Sequence, residues 1–96
     1  MNVTRCTADT LVATVASGSP PLKLHTISIA ALTATPTAGL LTVYDNTAES
    51  GTAVYSEWVF ATAVGHTITL DCDMYKGIYV GFDGTLANAT ASVTWQ

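Results

Sequence analysis

The chain has 96 residues, 49% of them apolar and only 10% charged, with a net charge of −4. That length suits one domain with a thin core. The only cations, Arg5, Lys23 and Lys76, are scattered, which argues against a nucleic-acid partner or an anionic membrane surface. No apolar run approaches the roughly 18 residues that a spanning helix needs.

Residues 1–9 (MNVTRCTAD) read either as an edge strand or as an N-terminal arm, and residues 10–96 as the body of a single β domain. TLVATV (Thr10 to Val15) alternates and predicts a strand. SGSPP (Ser17 to Pro21) breaks it, because neither proline can donate to a ladder. The next run, Leu22 to Ala34, changes phase. Leu22 and Leu24 point one way, Ile27 and Ile29 the other, so one extra residue is expected as a bulge or bend near His25–Thr26.

TPTAG (Thr35 to Gly39) is a turn. Leu40 to Tyr44 is a short strand, and DNTAESG (Asp45 to Gly51) has the composition of a hairpin tip, with Asp and Asn to bond the backbone and Gly to relax it. Ala53 to Ala61 returns from the tip. Its large residues Val54, Trp58 and Phe60 share one face and are expected inside; Tyr55, Glu57 and Val59 share the other. His66 to Cys72 follows with Ile68 and Leu70 inward, then Ile78 to Phe82 with Ile78, Val80 and Phe82 inward. After a turn at Asp83 to Asn88, Ala89 to Trp95 closes the chain with Ala89, Ala91, Val93 and Trp95 on one face.

About seven strands at this spacing predict an all-β, single-domain antiparallel β-sandwich, jelly-roll-like or immunoglobulin-like. The 17 threonines suit the exposed side of a pleated surface. So few charges give a free monomer little colloidal protection, which points to a life docked in an assembly.

The residues that carry chemistry are sparse. His25 and His66 are the only candidates for a general base, and no serine or cysteine stands in a nucleophile motif. His66 and Cys72 lie about 20 Å apart on a continuous strand, too far to share a zinc. Asp71 and Asp73 fit solvated acids beside a turn better than a calcium loop. Cys6 and Cys72 are expected as free thiols, since no leader of the secretory type precedes them. Two Asn-X-Thr triplets, at Asn2 and Asn88, arise readily by chance in so Thr-rich a chain. The reading is therefore not an enzyme, with no catalytic residue, no metal and no cofactor. Tyr55 and Tyr79 point away from the expected core and suit an interface or a carbohydrate platform. The candidate interface set is Tyr44, Asp45, Tyr55, Glu57, Tyr75 and Tyr79.

Four segments carry a family resemblance: Leu24 to Ile29 (LHTISI), Leu41 to Thr52 (LTVYDNTAESGT), Gly77 to Val80 (GIYV) and Ala91 to Trp95 (ASVTW). The resemblance covers roughly residues 22–96, where the chain resembles the small virion-associated β proteins of tailed phages. The resemblance implies a sandwich or jelly-roll-like fold. It implies a place on the capsid exterior as a decoration, or cement, protein. Such a protein binds the major capsid protein as a dimer or trimer and bridges neighbouring subunits. No catalytic residue comes with the family. The alternative expectation is a receptor- or glycan-binding module of a head or tail fibre, with Tyr55, Tyr75 or Tyr79 beside Asp73 in a shallow groove.

Overall fold

The computed structural model describes residues 1–31, 36–60, 65–83 and 85–96. Among them are eight strands: β1 (Asn2–Cys6), β2 (Thr10–Thr14), β3 (Leu22–Ala31), β4 (Gly39–Asp45), β5 (Thr52–Val59), β6 (His66–Met74), β7 (Gly77–Phe82) and β8 (Ala89–Trp95). The expected continuation of the third strand to Ala34, Thr35 in the turn after it, Ala61 and Gly84 lie outside the described residues.

The strands form two four-stranded antiparallel sheets, ordered β1-β8-β3-β6 and β2-β7-β4-β5. Only β4 and β5 are joined by a hairpin within one sheet. Every other connection crosses from sheet to sheet. This pairing of orders is the eight-stranded jelly roll, two interleaved Greek keys. It realises the all-β sandwich expected from the alternation and selects the jelly roll over the immunoglobulin order. The strand count exceeds the expected seven because Asn2–Cys6 pairs with β8 along its whole length.

The core lies between the inner faces. Leu24, Ile27 and Ile29 of β3 and Ala89, Ala91 and Val93 of β8 meet Leu41 and Val43 of β4 and Ile78, Val80 and Phe82 of β7. These are the central strands of both sheets. Each fully covered Val, Leu or Ile contributes about 1.5–3 kcal/mol of burial, so the four middle strands hold the fold together. The alanines of β8 leave room for the larger chains opposite, which keeps the layer close-packed.

The bulge expected near His25–Thr26 is present, and it is double. The register of β3 slips between Leu24 and Thr26 against both β6 and β8. On the β6 side the slip is taken up around Asp71, whose φ is +46°. This irregularity lets Leu22, Leu24, Ile27 and Ile29 all serve the core side of one strand.

The face assignment on β5 needs correction. Leu41 pairs with Glu57, Val43 with Tyr55 and Gly39 with Val59. Leu41 and Val43 are buried, so Tyr55, Glu57 and Val59 face inward. Trp58 and Phe60 face out, 49% and 67% exposed. The cause is a second bulge: the register shifts between Val43 and Tyr44, which pairs with Ala53. Val54 is the extra residue, and it moves each later side chain to the other face.

Cys6 and Cys72 are free. They sit on β1 and β6, the two edges of one sheet. Three strand spacings, about 14 Å, separate those edges, well beyond disulfide reach.

Candidate interaction surfaces

A sandwich is open along its two sides, where edge strands of opposite sheets face each other. On one side the edges are β5 and β6. Here Glu57 reaches across from β5, and its Oε2 lies 2.6 Å from Nε2 of His66 at the start of β6. The Tyr55 hydroxyl, two residues along the same face of β5, donates to the other carboxylate oxygen. The three side chains form a polar clasp between the sheets. Burial, followed by the adjacent Glu57 carboxylate, pushes the Tyr55 phenol up to about 12. A phenolate there would lose water and face a negative charge.

Just outside the clasp, the outer face of β5 presents Trp58 and Phe60. Leu40, the cross-strand partner of Trp58, is half-buried beside it. Farther along the same sheet face, Tyr44 and Tyr79 are cross-strand neighbours, and Leu11 flanks Tyr79 on β2. Tyr75 stands 64% exposed at the β6–β7 turn.

Asp45 has a structural task. Its Oδ1 accepts the backbone N–H of Tyr75 at 2.9 Å and of Lys76 at 2.8 Å. The carboxylate at the start of the β4–β5 hairpin tip thus caps the β6–β7 turn, which crosses between the sheets, in a charge-assisted arrangement. The tip that follows behaves as its composition predicts. Asn46 donates to the Ser50 carbonyl at 2.9 Å, accepts from the Thr47 N–H at 2.8 Å, and Gly51 takes φ +84°.

The tip folds back over its own sheet. Glu49 lies so close to Gly81 that a Cβ there would sit 2.8 Å from its Oε1. Burial, then Asp9 and Asp83, raises the Glu49 carboxyl above its ordinary range. Asp9 is itself anchored, accepting the Phe82 N–H at 2.6 Å. Beside these acids is an open cavity of ≈310 Å³ lined by Thr7, Ala8, Asp9, Phe82, Asp83 and Leu86.

His25, Lys23, Asp71 and Asp73 are held in two pairs. His25 Nδ1 meets Asp71 Oδ1 at 2.7 Å, and Lys23 Nζ meets Asp73 Oδ1 at 3.0 Å. Both acids stay substantially exposed. His25 Nε2 is covered and has no hydrogen-bond partner among the described residues. The outer face of this sheet is a hydroxyl array. Ser28 bonds Thr67 at 2.8 Å and Thr26 bonds Thr94 at 2.6 Å across neighbouring strands.

The six candidate interface residues therefore separate. Tyr44 and Tyr79 share one outer face, Tyr75 and Asp45 meet at a turn, and Tyr55 and Glu57 close the β5–β6 side. Trp58, Phe60 and His66 were outside that set. No local pattern signals the clasp, because Glu57 reads from sequence as a surface residue and His66 lies on the other sheet. The chain matches no protein-family model, no curated protein and no solved structure.

Proposed function

We propose that this protein is a capsid decoration protein of a tailed phage, bound to the outside of the shell and bridging neighbouring copies of the major capsid protein. The observation that carries the reading is the eight-stranded jelly roll whose outer aromatic residues, Trp58 and Phe60, stand free on an edge strand. Jelly rolls recur in viral shell proteins and in lectins, and solvent-facing aromatics at a strand edge are the usual anchors of protein–protein contact. The low charge of the chain adds to this, since few ionic groups need to lose water on docking.

In this role no bond is made or broken. Two close-packed sheets form a stiff body, and each docked copy adds its own contacts to those that subunit separation must break. Many equivalent sites on a shell let modest single contacts add up. The protein acts as a homo-oligomer.

The test is to add purified protein to shells that lack it and follow the temperature of rupture. The proposal expects saturable binding and a higher rupture temperature, both reduced by Trp58→Lys. Shells that neither bind the protein nor gain heat resistance overturn it.

A second reading, a glycan-binding module, is favoured by the adjacent Tyr44 and Tyr79 rings. It expects binding to host polysaccharide without shells, lost on Tyr79→Ala.

A further inference from the structure

Four strands of the jelly roll are edges, and three of them are guarded. β2 is five residues long and carries a register shift between Leu11 and Ala13. β6 is bulged at Asp71, where a non-glycine residue sits at φ +46°, and Asp71 and Asp73 project from it. β1 is five residues long and holds Arg5 on its exposed face. Short length, bulges and outward charge are the ordinary devices against edge pairing.

β5 is different. Its bulge lies near the hairpin tip, and from Tyr55 to Val59 it pairs regularly with β4. Its outward residues there are Ser56 and Trp58, followed by Phe60, with no charge among them. Its one charged residue, Glu57, points inward and is matched by His66 of the same chain. The acids Asp71 and Asp73 sit five and seven residues along β6 from His66, about 17–23 Å away. On a chain of net charge −4, this edge is where two copies can approach with least repulsion.

We propose that β5 pairs antiparallel with β5 of a second copy, joining two four-stranded sheets into one of eight. The two-fold axis passes at Trp58. That register sets Trp58 against Trp58 of the second copy, and Ser56 against its Phe60, on the outer face. On the inner face it sets Glu57 against Val59 of the second copy. An axis at Glu57 would instead place the two carboxylates directly opposite, which is unfavourable. The pairing is isologous, so one patch serves both copies, and it satisfies the edge N–H and C=O groups that have no ladder partner among the described residues. The stacked indoles favour it further.

This inference rests on the oligomeric part of the reading above but not on the shell. Sedimentation equilibrium tests it, with circular dichroism to verify that each variant keeps its sheet structure. Wild type is expected to be a dimer, and Trp58→Lys, which sets two ammonium groups face to face, to weaken association at least about tenfold. Val3→Lys, at the exposed β1 edge, is expected to change it by less than about twofold. A wild type that stays monomeric, or forms a trimer, overturns the pairing. So does a dimer indifferent to Trp58→Lys. A monomer that still decorates shells, with decoration lost in Trp58→Lys, assigns this edge to the shell protein and overturns the second copy alone. A dimer that ignores shells keeps the pairing and overturns the decoration.

Discussion

Glu57 and His66 meet at 2.6 Å across the open side of the sandwich, one from each sheet. They are nine residues apart in the chain and belong to edge strands that share no ladder. Among the described residues, the contact ties the two layers where no backbone bond does. His66 is 44% exposed and Glu57 20%, so water screens the pair on one side. A double-mutant cycle with Glu57→Gln and His66→Ala is expected to give a coupling of about 0.5–1 kcal/mol, shrinking as salt rises.

The clasp also predicts an alkaline response. Tyr55 keeps its proton to about pH 12 in the folded chain, held there by burial and by Glu57. An unfolded phenol loses its proton near its ordinary value of 10.0. The proton is therefore bound more tightly in the folded state. The stabilisation is complete below pH 10 and is lost as pH rises from there to about 12. Unfolding by urea at stepped pH is expected to show a falling midpoint across that window, and Tyr55→Phe to flatten the fall. Absorbance titration should lose, in the same variant, the phenol that titrates at about pH 12.

Glu49 predicts a response of the same sign at acid pH. Its carboxyl is raised by burial and by Asp9. The folded state therefore favours the protonated acid, a preference fully expressed at low pH and lost as pH rises through the folded value. Glu49→Gln keeps the shape above Gly81 and removes the charge. It is expected to raise the urea midpoint at about pH 7 and to leave it unchanged near pH 3, where the wild-type acid is already neutral.

Asp45 joins two turns. Asp45→Ala removes the acceptor of the Tyr75 and Lys76 N–H groups, at a cost of about 1–3 kcal/mol. Gly77, next in that turn, has no room for a methyl: a Cβ would lie 2.8 Å from the carbonyl oxygens of both Ala13 and Asn46. Gly77→Ala is expected to cost a further 1–3 kcal/mol, roughly, because backbone must move. Thermal melts of the two single variants check both figures.

The sequence pattern reveals a bulge where it breaks alternation. Leu22, Leu24, Ile27 and Ile29 announce the slip at His25 because all four are apolar and only one phase change reconciles them. The slip at Val54 is silent, since both faces of β5 carry large or apolar residues and either phase looks plausible. Size then misleads: Trp58 and Phe60 look like core, while Glu57 looks like surface. β1 is equally quiet, because Asn2 is exposed and the half-buried Thr4 is polar, so pairing with β8 rather than hydrophobicity makes it a strand. The clasp depends on strand order between sheets, which no local pattern encodes.

The most direct measurement is the position of the protein on an intact particle, by electron cryomicroscopy of shells mixed with it. Density for paired sheets is expected on the outer surface, at the junctions between capsid subunits, with the Trp58 edge buried in a contact. Density confined to fibres or tail, or shells left bare at saturating protein, would contradict capsid decoration.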